Sequence, residues 1–437
     1  MFPFRIFSRF AMHQWKWILI GFICGLSCLH ARSVKATDES AETFKSSKLW
    51  NEDELIGKAL EYNRKLQLLE TNVEIAEHRL QSSGWIENPE FRLSRRLDRY
   101  ADVDEFDEWR YGVRWDVPKL GELGEDKQKA RVELWDRNVE KIRYRHALIA
   151  KVRRDYANVL RHDRLVELAE RRVQIEDARI RIIEQMVNIG DRSIVYYTKA
   201  KMWHAESRND YARAVESQTQ ARRRLAKRTG LDPEINLIEN DLPEVTLELD
   251  ELLEIAYLNR PEIRLVEEKT KLALKQNRYE WLKLLPWINY IEFTQHRDQK
   301  RRYDWKQFEI AFELPIFDWN VGNIKATNLA VKKRGAQSDA MRETIEEEVR
   351  SAYTVYQDLL LEWNQFKKDA RTLISEARKV CNEAKQHQTL MSDEVYEMEL
   401  TIIETEELLA EKKQNLVYAL VDLYYEIGVQ DYNQLNQ

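Results

Sequence analysis

The sequence has little glycine, proline or cysteine. Of 437 residues, 12 are Gly and 8 are Pro, together less than 5% of the chain, where average usage gives about 12%. Because these two residues form most tight turns, their scarcity excludes many short strands joined by turns, and it excludes collagen-like chains. Hydrophobic residues make up 43% and charged residues 33% of the chain, which argues against simple disorder. The composition therefore predicts a mainly helical protein with long elements.

The amino terminus has the pattern of a secretory signal peptide. The first 36 residues contain five basic residues, no acidic residue and an apolar run of 13 residues. Such a run is too short to span a membrane but suits a signal-peptide core. We predict a signal peptide over 1–36 with cleavage after Ala36; Ala31 is a second candidate, and an uncleaved anchor is the alternative. Met12 offers a later start, and Cys28 follows a poor lipobox, so lipidation there stays open.

Removal of this segment changes the charge and the cysteine content of the chain. It takes away five basic residues and no acidic ones, which moves the formal net charge from −6 to −11. A net charge of that sign disfavours nucleic acid as a partner. It also leaves Cys381 as the only cysteine, so no internal disulfide is expected. No second hydrophobic run reaches 18 residues, so no transmembrane helix is predicted.

Motifs typical of enzymes are absent from the sequence. The eight His residues are scattered, and no P-loop, GxGxxG or GxSxG motif occurs. The mature chain also has no CxxC pair for metal or redox chemistry. We therefore predict no catalytic residue, no cofactor and no metal site, and we expect the protein not to be an enzyme.

The chain contains two copies of one unit. Several residues recur at a nearly constant offset of 196 or 197 positions: Asn63 and Asn259, Pro89 and Pro286, Pro118 and Pro315, Lys129 and Lys325. A constant offset over most of the chain indicates an internal duplication. We predict a first repeat over 37–230, a linker over 231–249 and a second repeat over 250–437.

Each repeat shows the same order of elements. Two helices lead to a proline, a pair of strands follows, and then comes a long stretch that is nearly free of helix breakers. From 125 to 229 the only glycine is Gly190, and from 323 to 427 the only glycine is Gly335. Glycine supplies the left-handed stop at many helix ends. We therefore predict a helical hairpin in each repeat, with one tip near 190 and the other near 391, where no glycine lies.

Four strands are predicted, over 90–97, 109–117, 287–295 and 307–315. In the second strand of each pair apolar residues alternate with polar ones, a period of two that marks a two-sided strand. The apolar set is Trp109, Tyr111, Val113, Trp115, Phe308, Ile310 and Phe312. The polar set is Arg110, Arg114, Asp116, Glu309 and Glu313. The acidic run 98–108 and the mainly basic run 297–306 are predicted to be the connecting loops.

Two interpretations of these strands remain open. In the first, the apolar set packs on the helices of a soluble α+β domain. In the second, the apolar set faces lipid and the polar set lines a water-filled lumen, as in a transmembrane barrel. Small barrels need about eight strands, so the second interpretation requires several chains to combine their strands.

The ordered motifs resemble a known family. Pro315–Gly322 (PIFDWNVG) and its counterpart Pro118–Gly124 resemble the family's exit from a strand into a long helix. Leu258–Glu262 (LNRPE) resembles the opening of its second half, and Gly190–Ser193 (GDRS) resembles its hairpin tip. On these motifs the chain resembles the TolC family of outer-membrane efflux proteins over about residues 50 to 430.

The resemblance implies a mainly α protein with a small β part that forms a homotrimer. Twelve strands from three chains would form a β-barrel in the outer membrane, and the long helices would form a periplasmic α-helical barrel. Such channels passively conduct solutes, among them drugs, metals or other small molecules, that an inner-membrane pump exports through a periplasmic adaptor. The apolar set would then face lipid and the polar set the lumen. The alternative is an exported coiled-coil scaffold without channel activity.

The resemblance also places a gate at the periplasmic tip. The tip residues are Gly190, Asp191, Arg192, Ser193, Ser392, Asp393 and Glu394. We hypothesise that Asp393 and Glu394 form an acidic ring at the aperture, because threefold rings of carboxylates favour cations. A solvated tip is the alternative, and unchanged cation block after neutralising both residues would remove the idea.

Overall fold

A computed structural model describes residues 48–430, apart from positions 101–102, 240–241, 244, 299–301, 318 and 387–392. The predicted signal peptide, the cleavage site at Ala36 and the tip residue Ser392 lie outside the described residues. So does the position near 391 that was predicted as the second hairpin tip.

The described chain contains the same series of helices twice. The first series is α1 (Glu52–Tyr62), α2 (Arg64–Ser82), α3 (Glu122–Asn188) and α4 (Ile194–Thr229). The second series is α5 (Leu249–Asn259), α6 (Pro261–Leu282), α7 (Val321–Gln386) and α8 (Asp393–Ile427). The longest helices, α3 with 67 residues and α7 with 66, each extend about 100 Å at 1.5 Å per residue. The described helices include none that is both long enough and apolar enough to cross a membrane.

Local sequence explains where the short helices begin. The Asn51 side chain accepts from the Glu54 N–H at 2.8 Å, and the Glu54 carboxylate accepts from the Asn51 N–H, which completes a capping box. Glu248 and Glu251 form the equivalent box at the start of α5. The next helix starts at once in each repeat, because Asn63 caps α2 and a proline occupies the first position of α6. The duplication therefore extends to the capping signals.

Each repeat builds its own hydrophobic core. In the first repeat Leu55 of α1 and Val152 of α3 are fully buried in one cluster with side chains of α4. In the second repeat Leu252 of α5 and Ile345 of α7 occupy the equivalent cluster with side chains of α8. The two halves meet where α3 packs on α8, around the buried Ile403. Burial of apolar surface along these seams is the main stabilising term for the long helices.

Ion pairs also line the seam between α3 and α8. Arg164 lies 2.9 Å from Glu406, and Arg172 lies 3.1 Å from Glu407. Partly exposed pairs of this kind contribute only about 0–1 kcal/mol each. Their contribution is mainly to the register of the two helices, since a shift by one turn would separate the pairs.

The strands within the described residues form two separate sheets. A two-residue parallel pair joins β1 (Leu49–Trp50) to β4 (Asn236–Leu237) at the linker. The larger sheet has the antiparallel order β2-β3-β5-β6, with bounds Glu90–Tyr100, Val103–Asp116, Trp287–Asp298 and Tyr303–Glu313. This sheet thus contains four strands, two from each repeat.

The strands of the larger sheet reach further into the charged runs than the sequence predicts. Asp98 pairs with Phe106 across β2 and β3, and Glu108 pairs with Asp298 across β3 and β5. The prediction that 98–108 and 297–306 are loops is therefore wrong for most of these residues. Charged residues can remain in a strand when their backbone N–H and C=O groups pair with a neighbouring strand. Here the neighbouring strands continue the hydrogen-bonded ladder through the charged runs.

A half-buried histidine near the carboxyl end of α8 gives the fold a pH dependence. The Nε2 atoms of His146 and Gln430 lie 2.9 Å apart. Burial lowers the pKa of His146 from 6.5 to about 4, and Arg145 and Arg260 lower it further against the opposing effect of Glu262. The neutral imidazole therefore stabilises the fold above pH 6.5, and that contribution is lost as the pH falls toward 4.

We expect His146→Gln to reduce the acid sensitivity of the helical part. The wild-type protein should lose about 2–3 kcal/mol from this group between pH 7 and pH 4.5, whereas the glutamine variant has no proton to gain. Thermal unfolding followed by circular dichroism at both pH values measures the difference. His78→Gln, at an exposed position, is the matched control and should keep the wild-type acid sensitivity. An equal drop in melting temperature for the wild type and His146→Gln would contradict the assignment.

Candidate channel-forming surfaces

Strand register separates the sheet into two chemically distinct faces. Val113 of β3 lies between Phe91 of β2 and Phe293 of β5, and Phe293 lies opposite Phe308 of β6. Residues that pair across antiparallel strands project to the same side. We call this side the apolar face, defined by Phe91, Leu93, Trp109, Tyr111, Val113, Trp115, Ile291, Phe293, Phe308, Ile310 and Phe312. It contains all seven residues that the sequence predicted to face lipid.

The apolar face is open in the single chain. Phe91, Phe308 and Phe312 are 69%, 64% and 62% exposed. The interpretation in which this face packs on the helices is therefore wrong for the single chain. A contiguous exposed apolar surface of this kind marks contact with lipid or with another protein.

The opposite side of the sheet is polar, and we call it the polar face. Arg114 of β3 lies opposite Glu292 of β5, which in turn lies opposite Glu309 of β6. Ion pairs link neighbours on this face: Arg114 lies 2.8 Å from Asp116, and Lys119 lies 3.4 Å from Glu313. The polar face includes every residue that the sequence predicted to face a lumen, namely Arg110, Arg114, Asp116, Glu309 and Glu313.

The polar face carries a histidine network that the sequence analysis missed. His296 Nδ1 lies 2.6 Å from Glu108 Oε1, and both residues are 3% exposed. The imidazole stacks on Trp305 at 3.6 Å with an interplanar angle of 13°, and its Nε2 lies 3.2 Å from Gln307 Oε1. Glu108 also binds Arg110 at 3.1 Å. Only the pairing of β3, β5 and β6 brings these residues together, so no local pattern could have indicated them.

The first hairpin tip lies between α3 and α4. Gly190 has a φ of 81°, which a side chain would strain, and Ser193 caps α4 by accepting from the Tyr196 N–H at 3.3 Å. Gly190, Asp191, Arg192 and Ser193 are all exposed. The predicted tip residues of the first repeat thus lie on the solvent-facing end of the helical hairpin.

Next to this tip, a buried arginine joins α3 to α8. Arg179 is 4% exposed, its Nε lies 2.5 Å from Asp393 Oδ1 and its Nη2 lies 2.8 Å from Glu397 Oε1. The Tyr196 hydroxyl of α4 donates to the other oxygen of Asp393, and Arg179 lies over the Trp203 ring at 4.8 Å. Three helices therefore meet at one charge cluster. We call Glu176, Arg179, Tyr196, Trp203, Asp393 and Glu397 the tip cluster.

The tip cluster corrects the acidic-ring hypothesis for Asp393. Burial alone would raise the pKa of Asp393, but Arg179 and the Tyr196 hydroxyl outweigh burial and hold the pKa below its ordinary value. The Asp393 carboxylate is 3% exposed and charged, and it is already paired within its own chain. It therefore does not present a free charge to an aperture. Glu394 is exposed, and its place in a ring stays a prediction.

Two long helical hairpins and one amphipathic sheet, assembled from a duplicated unit, make up the fold of the described chain. No protein-family model matches the chain, and no curated protein sequence is significantly similar to it. Solved structures with this fold do match.

Three of the matching structures are membrane proteins or channels. CusC, described as forming a transmembrane channel, is 17% identical, with 86% of this chain and 92% of CusC covered and a TM-score of 0.70. The outer membrane protein VceC of Vibrio cholerae is 16% identical, with 86% and 96% covered and a TM-score of 0.67. The open-state outer membrane channel MtrE of Neisseria gonorrhoeae is 20% identical, with 87% and 89% covered and a TM-score of 0.66. At these identities the likeness establishes the fold of the single chain, which confirms the predicted mainly α architecture with a small β part. The homotrimer and the 12-stranded barrel stay predictions.

Proposed function

We propose that the protein is a subunit of an outer-membrane efflux channel with a long periplasmic part. The channel passively conducts solutes that an inner-membrane pump exports through a periplasmic adaptor. The observation that carries the proposal is the exposed apolar face, which is continuous over four strands and backed by a polar face. In a soluble monomer such a surface would favour aggregation, whereas in a membrane it is satisfied by lipid.

The sheet edges support assembly from several copies. In the order β2-β3-β5-β6 the outer strands are β2 and β6. Unpaired edges of this length promote pairing with another chain. Because neighbouring strands alternate in direction, β6 of one copy would run antiparallel to β2 of the next. A homotrimer would close a barrel of 12 strands, which exceeds the minimum of about eight that a barrel needs.

In such a barrel the polar face lines the lumen and the apolar face contacts lipid. An outward-facing apolar band and a polar interior are the pattern of outer-membrane barrels. The ion pairs on the polar face, such as Arg114 with Asp116, keep those charges balanced in a water-filled interior. Solutes of different kinds, among them drugs, metals or other small molecules, could pass a lumen of this character.

The long helices form the periplasmic tunnel, and the tip cluster sets its closed state. Arg179 of α3 bonds to residues of α8 and lies close to α4. If the tip opens by separation of these helices, the cluster must break first. Gly190 to Ser193 and Glu394 would then surround the aperture.

Fractionation and native mass test this function. We expect the protein in the outer-membrane fraction, to require detergent for extraction, and to have the mass of three chains once detergent is subtracted. Detergent would be required because it replaces the lipid that covers the apolar face. The mass of three chains would follow from pairing between β6 of one copy and β2 of the next. A detergent-free periplasmic monomer would favour the scaffold alternative and would contradict the channel.

A further inference from the structure

Two exposed aromatic side chains lie on the polar face, most of whose other residues are charged or polar. Tyr303 and Trp305 of β6 are 64% and 39% exposed, and they pair across the strands with Asp298 and His296 of β5. Side chains two positions apart on a strand project to the same side, so both rings stand opposite the apolar face. They lie at the beginning of β6, which is the end of that strand furthest from α7.

A buried network holds the Trp305 ring in one orientation. The imidazole of His296 stacks on one side of the indole at 3.6 Å with an interplanar angle of 13°. His296 is 3% exposed, and both of its ring nitrogens are engaged, since Nδ1 lies 2.6 Å from Glu108 Oε1 and Nε2 lies 3.2 Å from Gln307 Oε1. The Gln307 amide nitrogen in turn donates to Glu309 at 3.3 Å. A ring supported on one side presents its other side as a fixed platform, and a ligand that stacks there does not have to order it.

The strands that carry this platform are acidic on the same face. Apart from His296, every charged residue that β5 and β6 place on the polar face is acidic, namely Glu292, Asp298, Glu309 and Glu313. The basic residues of these two strands, Arg297 and Lys306, lie on the other side, where they oppose Asp304 and Gln295. The platform therefore lies among negative charges.

The basic residues of the polar face belong to β2 and β3, and each has an acidic neighbour. Arg110 lies 3.1 Å from Glu108, and Arg114 lies 2.8 Å from Asp116. Arg92 lies 2.9 Å from Glu90 and 3.5 Å from Glu292, and Arg96 lies opposite Glu108. These cations are compensated locally, so they do not cancel the acidic character of β5 and β6.

We propose that Trp305 is a binding site for planar aromatic cations in the lumen of the barrel, with His296 as the positioning residue that supports the ring. This inference rests on the proposed function. The ring of such a solute stacks on the open side of the indole, and its charge is attracted by the electron-rich face of the indole and by the carboxylates nearby.

A homotrimer contains three of these sites at one height. A barrel of 12 strands about 4.8 Å apart and tilted by about 40° is about 24 Å across between backbones, and side chains narrow it further. Cations bound at the sites therefore reduce the cross-section through which current flows.

Block of single-channel current tests the site. Wild-type protein in planar bilayers receives one of two monovalent cations, 1-methylquinolinium, which is planar and aromatic, or tetraethylammonium, which is neither. We expect half-maximal block at a concentration at least about fivefold lower for 1-methylquinolinium, because only this cation can stack on the indole. The aromatic anion 2-naphthalenesulfonate should block more weakly than 1-methylquinolinium, since the carboxylates repel it.

Two substitutions distinguish a ligand site from a mere cover over the buried network. Trp305→Leu keeps an apolar side chain over His296 but removes the aromatic ring, and it should abolish the preference for 1-methylquinolinium. Trp305→Phe keeps a ring and should retain part of the preference, whereas a mere cover would make the two variants equal. Trp115→Leu, on the apolar face of β3, is the matched control and should keep the wild-type ratio.

The remaining outcomes show which claim fails. Equal block of the wild type by both cations would overturn the site and leave the channel intact. The wild-type ratio in Trp305→Leu would do the same, as expected if an arginine of β2 in the next copy covers the ring. Stronger block by 2-naphthalenesulfonate than by 1-methylquinolinium would overturn the cationic class of ligand. Wild-type protein that conducts no current would overturn the proposed function, and the site with it.

Discussion

Replacing Arg179 with alanine is expected to open the periplasmic end of the proposed channel. The change leaves the carboxylates of Asp393 and Glu397 facing each other without the cation that now binds both. Removing one partner of a buried ion pair costs about 3–5 kcal/mol, far more than the loss of an exposed pair. The cluster joins α3 to α8 only while the tip is closed. The unpaired carboxylates therefore destabilise the closed arrangement, and they regain contact with water when the helices separate.

Planar-bilayer recordings measure this effect. Arg179→Ala should show larger conductance or longer open periods than the wild type, together with faster proteolysis near the first tip. Arg181→Ala is the matched control, because Arg181 is exposed on the same helix two positions away. Tyr196→Phe, which removes only the hydroxyl that donates to Asp393, should have a smaller effect of the same sign. Wild-type currents from Arg179→Ala would show that the tip cluster does not hold the gate.

Replacing Phe308 with arginine is expected to prevent stable insertion of the barrel. Phe308 is 64% exposed near the centre of the apolar face, opposite Phe293. An arginine on the lipid side of a barrel costs about 2–4 kcal/mol at mid-membrane depth. The proposed trimer contains the substitution three times, so the summed penalty of about 6–12 kcal/mol is comparable with the entire stability of an ordinary protein, about 5–15 kcal/mol. The amount of detergent-resistant trimer in outer-membrane fractions reports the loss.

The neighbouring residue provides the control for this experiment. Gln307 lies on the polar face opposite Thr294, so Gln307→Arg adds the same charge to the same strand on the other side. That variant loses the Gln307 contact with His296 but places no charge on the lipid side, so it should still insert and should change the ion preference of the proposed channel. Equal loss of trimer from both variants would show that the two faces do not differ in their surroundings.

Local patterns predicted much of this architecture. The period of two along β3 and β6 placed Val113 and Phe308 on one face, because strand geometry fixes the side of each residue from its neighbours alone. The duplication was equally visible, since equivalent breakers such as Pro118 and Pro315 keep a constant spacing. Scarcity of glycine and proline predicted the two helices of about 100 Å.

Contacts between distant segments could not be predicted in this way. Arg179 and Asp393 are separated by 214 positions, and nothing near Asp393 in the sequence indicates a buried cation. Asp393 therefore looked like a free acidic residue at a tip. The same limit applies to His296 and Glu108, which lie 188 positions apart and meet only through strand pairing. The ends of the strands were predicted wrongly for a related reason. The sequence shows the charged residues of 98–108 and 297–306, but it does not show the neighbouring strands with which their backbones pair.

Cross-linking the outer strands of neighbouring copies tests the central claim most directly. In a Cys381→Ser background, Phe91→Cys on β2 is combined in turn with cysteine at each of three β6 positions, Phe308, Ile310 and Phe312. Disulfides form only between residues whose Cα atoms approach to about 4.4–6.8 Å. If three chains close one barrel, at least one pair gives disulfide-linked dimers and trimers on a non-reducing gel of outer membranes. Monomers alone for all three pairs would contradict a shared barrel.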